Sequence, residues 1–507
     1  QDALDAAGTG AEIRIAEGTY RPDDGASVTS GDPAAVFRMA DHVALYGGFA
    51  GSGAPDPDER DPDLHVAILS GDLEGNDTGA PVGTNASHVV AAEGVGRSAV
   101  LDGFTVTGGV SFFGSGLVCF FDSAPRIVDC RFTGNYGNGA DPADPLFANY
   151  EEFTGNSGNF ASAFGGGSVV SALNFYNQDI PSAPGLAGPI IRGCEISTNE
   201  CNVLAGETGW APVAAYRSSM TLEHCALVDN DGLGNGTAGG LMATDDSFIA
   251  VSHTRIAGNT GLVGGVLAVE GPTLVMSNCL VAGNAGGGVY CAGTSNASLL
   301  SCTVTGNKSA EEISGGVTYS SNSGNLVLIN SLLWNNSVDG MVAAPGASFF
   351  TEQTANLIIA NSFIQGEPGA PAITPEQLFE SPVAPGLVPT LAGDYRLAGG
   401  SPAIDAGDAS VLSADPFASL YGVETDKNGA FLPNTALDLV GASRQTGAGM
   451  DLGAYEWSAT AVGASVTAIT PTSTAPSQSG TLDFEVTFDE PVLLFDAFDD
   501  LALVTTG

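Results

Sequence analysis

Hydrophobic and polar positions alternate along most of the chain in runs of a few residues, each closed by Gly, Asn or Asp, and the runs repeat. Asn278-Cys279-Leu280-Val281-Ala282-Gly283-Asn284 returns 23 residues later as Ser301-Cys302-Thr303-Val304-Thr305-Gly306-Asn307. The same phrase stands at Asp129–Asn135, Gly193–Asn199, His224–Asn230 and His253–Asn259, with weaker copies at Asn330–Asn336 and Asn361–Gly366. A glycine-led apolar run precedes most copies, as in Gly240-Leu241-Met242-Ala243, Gly265-Val266-Leu267-Ala268 and Gly288-Val289-Tyr290-Cys291. Alternation with period two predicts half-buried strands, and the Gly-Asn pair supplies a corner where a positive φ is tolerable. A repeat of 23 to 31 residues carrying two or three such strands cannot bury its apolar face alone. Successive copies must stack, about 4.8 Å apart, into an all-β solenoid: a right-handed parallel β-helix.

Stacking puts like residues in columns. Cys130, Cys194, Cys225, Cys279 and Cys302 hold the same repeat position and form an expected ladder, either of buried thiols or, at this spacing, of one or two inter-coil disulfides. At the N-terminus Gln1–Ala7 has helical composition and ends at Gly8, which suits a short cap over the open edge of the first coil.

The period is interrupted by excursions near 50–65 and 71–87, and by a long insertion at 136–210. That insertion is rich in aromatics. They either pack a satellite core or offer a face to sugar rings or another subunit, in which case Tyr150, Phe153, Tyr176 and Trp210 are the candidate binding residues. A Pro-rich stretch follows Gly366, and a closing segment spans 394–457. Residues 458–507 change character: Val466–Pro471 and Leu482–Val492 alternate cleanly and read as the first strands of an immunoglobulin-like sandwich, about half of the roughly 100 residues such a module needs. The expectation is a longer parent protein, with strands of another molecule completing the sheet as the alternative.

Several phrases, Ile13-Arg14-Ile15-Ala16-Glu17-Gly18-Thr19-Tyr20, Leu45-Tyr46-Gly47-Gly48-Phe49, Leu101-Asp102-Gly103-Phe104-Thr105-Val106 and Met450-Asp451-Leu452-Gly453-Ala454-Tyr455-Glu456, give residues 1–457 a family likeness. The chain resembles bacterial surface β-helix proteins of the polymorphic outer-membrane-protein or choice-of-anchor type. That resemblance implies an extracellular, cell-surface location and says little about chemistry, since a β-helix carries many activities.

Composition narrows the partners. Asp and Glu number 57 against 14 Lys and Arg, a formal charge of −43, which repels nucleic acid and anionic bilayers. No apolar run is long enough for a transmembrane segment. Enzymatic motifs are missing: the only lysines are Lys308 and Lys427, and adjacent acids such as Asp245-Asp246 point to opposite faces of a strand. No catalytic residue and no required cofactor are expected. Structural Ca²⁺ is the one candidate ion, at Asp72 and Asp77 in the second excursion and at Asp405, Asp408 and Asp451 in the closing segment, with turn capping by the same carboxylates as the alternative. The expected function is a structural or adhesive surface protein that associates with itself, with other surface proteins or with glycans. Polysaccharide binding or degradation through 136–210 is the alternative.

Overall fold

The computed structural model describes residues 1–458 apart from 27, 112, 121–122, 139–167, 174–187, 203–210, 233–237, 311–313, 322, 339–340, 343–345, 352–355, 387, 410–435 and 445–446, and describes 466–471 and 484–488 beyond them. The chain divides into two compact units, 1–456 and 457–507.

Three long sheets form the first unit. Sheet 1 has 11 strands, from Glu12–Ala16 to Leu357–Ala360; sheet 2 has 11, from Gly18–Tyr20 to Phe363–Ile364; sheet 3 has 10, from Phe37–Arg38 to Phe349–Thr351. One coil visits sheets 3, 1 and 2 in turn, as Val266–Val269, Thr273–Ser277 and Leu280–Ala282, and the next repeats this as Val289–Gly293, Asn296–Leu300 and Thr303–Thr305. Pairing between coils is parallel and in step, with Ile256 opposite Val281 and Val281 opposite Val304. The protein is a right-handed parallel β-helix, the hand that strand-to-parallel-strand crossovers take.

Alternation decides which residues line the shaft. Ile249, Val251, Leu274, Met276 and Leu299 from sheet 1, Ile256, Val281 and Val304 from sheet 2, and Val266, Val289 and Val317 from sheet 3 belong to one buried cluster. Each such side chain contributes about 1.5–3 kcal/mol relative to an exposed position. The column grows by one layer with every coil.

Two tight corners per coil depend on the left-handed region. Between sheets 1 and 2 a single residue takes it, His224 (φ 53), His253 (φ 47), Asn278 (φ 52) or Ser301 (φ 50), and the next residue turns inward. After sheet 2 the residue with positive φ is Gly258 (φ 68), Gly283 (φ 63), Gly306 (φ 67) or, without glycine, Thr198 (φ 51) and Asp229 (φ 52). The glycine of the Gly-Asn pair thus carries the conformation. The asparagine is freed for another task.

That task is an internal ladder. Asn135, Asn199, Asn230, Asn259, Asn284, Asn307 and Asn336 are all buried. The Nδ2 of Asn284 donates to Asn307 Oδ1 at 2.9 Å and to the Ile256 carbonyl at 3.0 Å, while Asn284 Oδ1 accepts the Asn259 amide N–H at 2.9 Å and Asn259 Nδ2 at 3.0 Å. The same bonds join Asn199 to Asn230 at 2.9 Å and Asn307 to Asn336 at 3.1 Å. Polar groups at a corner with no access to water are satisfied by the coils on either side.

The Cys column runs beside it. All eight cysteines are buried free thiols. Cys279 Sγ donates to Ser277 O at 3.2 Å and Cys225 Sγ to Ile191 O at 3.3 Å. Thr254 and Ser331 fill the same position in their coils: Thr254 Oγ1 accepts the Cys225 N–H at 3.2 Å, and Ser331 Oγ accepts that of Cys302 at 3.1 Å. Small side chains that both donate and accept suit the position, which accounts for its mixture of Cys, Thr and Ser.

The N-terminal helix is Asp2–Ala6, with Leu4 buried against the core. The 50–65 excursion is largely exposed but tethered, with Arg60 Nε donating to Gly47 O at 2.9 Å and its guanidinium 5.5 Å from the Tyr46 ring centre. Outside sheet 3 lies a second apolar cluster that includes Val118, Phe120, Leu173, Tyr216, Met242 and Leu267, all nearly fully buried. In the second unit, Val466–Pro471 pairs antiparallel with Phe484–Phe488. Among the described residues no helix is long and apolar enough to cross a membrane.

Candidate functional site

The candidate site lies just past the Asn corner, at the last described residues before 139–167 and 203–210. Past the Asn corner, Tyr136 pairs with Glu200, Glu200 bridges Asp231, and Asp231 bridges Thr260. Backbone bonds hold the column: the Glu200 N–H donates to Asn135 O at 3.2 Å, and that of Asp231 to Asn199 O at 2.9 Å. Two carboxylates thereby stand on adjacent coils, one strand spacing apart at the backbone. Burial pushes the Asp231 carboxyl above its ordinary value and the charge of Glu200 pushes it further. One Asp231 oxygen is buried without a hydrogen-bond partner. Tyr136 donates from its hydroxyl to Gly79 O at 2.6 Å, and its pKa is raised by burial, then by Glu200 and Asp77. Acidic side chains on adjacent coils can accept hydrogen bonds from sugar hydroxyls or serve as acid and base.

Sequence reasoning did not single out Glu200 or Asp231. The signal was present in the phrase itself, since each is the residue immediately after a ladder asparagine. The aromatic candidates Tyr150, Phe153, Tyr176 and Trp210 lie outside the described residues.

Four of the aspartates considered for Ca²⁺, Asp72, Asp77, Asp405 and Asp451, accept backbone amides. Asp72 accepts the N–H groups of Gly75 at 2.7 Å, Asn76 at 3.1 Å and Asp77 at 3.0 Å. Burial acts to raise its pKa, but these three bonds and Arg21 outweigh it and hold the carboxyl below the ordinary value. Asp77 accepts from Val82 N at 2.6 Å and from Asn85 Nδ2 at 2.8 Å. Asp405 accepts from Ala448 and Gly449 at 2.9 and 2.7 Å, and Asp451 accepts from Asp405 N at 2.7 Å. Asp408 meets Asn330 through its backbone, with its N–H on Asn330 Oδ1 at 2.8 Å. Asp72 and Asp77 thus cap local turns, while Asp405 and Asp451 accept amides from distant parts of the closing segment. Among the described residues no group of three or more His, Cys, Asp or Glu side chains converges as an ion site.

A charge that sequence reasoning overlooked sits in the closing segment. Arg444 is fully buried, with Asn278 Oδ1 at 2.6 Å from its Nη2 and the Glu456 carboxylate 3.8 Å from its Nη1. Asp438, also buried, accepts the Glu456 N–H at 2.9 Å. No motif announces this group, because Arg444 and Asn278 are 166 residues apart.

Parallel coils and an internal amide ladder place the protein in the class of right-handed parallel β-helices. In agreement, the family model described as right handed beta helix region matches residues 185–364. No curated protein matches the chain.

Proposed function

We propose that the chain is a structural or adhesive segment of a secreted or cell-surface protein: a stiff β-helix within a larger fibre, coat or adhesin, followed by an immunoglobulin-like module. The observation that carries this reading is the unbroken parallel stack. Eleven strands at about 4.8 Å make a shaft roughly 50 Å long, its coils joined by backbone ladders in three sheets and by the Asn column within. Such a shaft resists bending and proteolysis, and its loops and outer faces are free to vary. The likeness to bacterial surface β-helix proteins and the charge of −43, which favours solubility outside the cell, support the location. The test is analytical ultracentrifugation and negative-stain microscopy over a hundredfold range of protein concentration, alongside binding to isolated bacterial envelopes. Filaments, sheets or saturable envelope binding support the reading; a monomer that binds no envelope overturns it.

A second reading, glycan binding or cleavage, is favoured by the Glu200 and Asp231 pair at the foot of the insertions. Neutral glycans fit better than polyanionic ones, which the net charge repels. Release of reducing ends from neutral polysaccharides, abolished in both Glu200→Gln and Asp231→Asn, decides for it. Activity absent from wild type, with no glycan retained on affinity electrophoresis, decides against it.

A further inference from the structure

After the last coil the chain turns back along the outside of the solenoid, and the described residues within 383–409 and 436–456 touch four successive coils. On the coil of His253 and Arg255, His253 Nε2 lies 3.2 Å from Leu437 O and Arg255 Nη2 donates to Leu391 O at 2.7 Å. On the next, the Thr390 N–H donates to Gly283 O at 2.9 Å. On the third, the Ala454 N–H donates to Thr303 Oγ1 at 2.9 Å. On the fourth, the Gly453 N–H donates to Asn330 O at 2.7 Å. The same stretch covers an outward apolar position on sheet 2: Leu332 is buried although it faces away from the shaft, and it lies beside Gly453.

A solenoid coil touches only its two neighbours, so a bare stack frays coil by coil from its end. Contacts that link the first of four coils to the fourth change that. Their anchor is Arg444, whose Nε and Nη2 converge on Asn278 Oδ1 at 3.2 and 2.6 Å while Nη2 also donates to Gly453 O at 2.7 Å. The corner residue Asn278, at φ 52, belongs to the second coil, and Gly453 to the returning chain. One guanidinium thus joins the strap to the shaft.

We propose that the returning segment is a longitudinal clamp, latched by Arg444 on Asn278, that makes the four coils from Leu241 to Asn336 open as one unit. This is independent of the surface role above. The test is native-state hydrogen exchange by mass spectrometry on the full chain, comparing wild type with Arg444→Ala and Asn278→Gly. The glycine variant removes the guanidinium's acceptor while keeping the left-handed corner, and it carries the test alone if Arg444→Ala does not fold. In wild type the slowest amides of 241–336 exchange at one common rate. In the variants, protection of 383–409 and 436–456 falls on the order of 100-fold or more. The four coils then separate into graded rates, with 317–336 fastest and 12–133 unchanged. Separate rates already in wild type, or strap protection in Asn278→Gly within about threefold of wild type, overturn the proposal. Equal loss in 12–133 does so as well.

Discussion

Replacing Asn284 by Ala is the sharpest perturbation of the inner ladder. The substitution removes the acceptor of the Asn259 N–H and of one Asn259 Nδ2 proton, and the donor to Ile256 O and to Asn307 Oδ1. Asn259 Nδ2 keeps its bond to Leu227 O, and Asn307 Oδ1 keeps the residue-284 N–H. Two to three buried groups are left short of a partner. At about 1–3 kcal/mol for each, the expected loss is about 2–9 kcal/mol. Asn325, half-buried, donates from Nδ2 to Asn296 Oδ1 at 3.1 Å, a bond water can replace, so Asn325→Ala should cost about 1 kcal/mol or less. Asn284→Asp should cost more than Ala at neutral pH, because it sets a second acceptor against Ile256 O and Asn307 Oδ1. Burial raises the folded-state pKa of such an acid, so stability recovers as pH falls below that value and the acid regains an O–H donor. Urea unfolding followed by circular dichroism measures all three. Equal midpoints for Asn284→Ala and Asn325→Ala would refute the inner-ladder argument.

Other consequences follow from the same packing. Burial pushes the thiols of Cys225 and Cys291 up to about 12, and raises those of Cys194 and Cys279 well above the ordinary value. Since the folded pKa lies above the unfolded one near 9.0, their contribution is complete below pH ~9 and is lost between about 9 and 12. Alkaline titration of the urea midpoint should fall across that window, and an aromatic disulfide reagent should label none of the eight cysteines before unfolding; rapid native labelling of Cys279 would contradict this. Ile256→Ala, at the centre of the shaft, should cost about 2–5 kcal/mol by urea unfolding, and a cost under 1 kcal/mol would remove Ile256 from the core. Thr198 is a β-branched residue at φ 51, so Thr198→Gly should stabilise by about 1 kcal/mol despite losing its hydroxyl contact with Thr133; a lower melting temperature would count against corner strain.

Much of the solenoid was legible because its information is local and periodic. The 23-residue step from Cys279 to Cys302 fixes both the column and the inward face, since period-two alternation leaves Val281 and Val304 no other side to take. The corner was read less well. Gly283-Asn284 looks like one turn signal, but the two residues divide the work, and only the stacked coils above and below show why a polar side chain belongs inside. The outer cluster around Tyr216 and Met242 was hidden because strands apolar on both faces lose the alternation that marks a side. The Glu200 and Asp231 pair exists only through register across 31 residues of sequence containing an insertion, and Arg444 meets Asn278 across 166. Contacts of that span leave no local pattern.

The most direct measurement is an experimental map, by crystallography or cryo-electron microscopy, of the asparagines from Asn135 to Asn336. Successive members should rise by about 4.8 Å along one axis, with each amide pointing inward on to the next. Asparagines spaced irregularly, or side chains of Asn259 and Asn284 facing solvent, would contradict the stacked-coil architecture and everything derived from it.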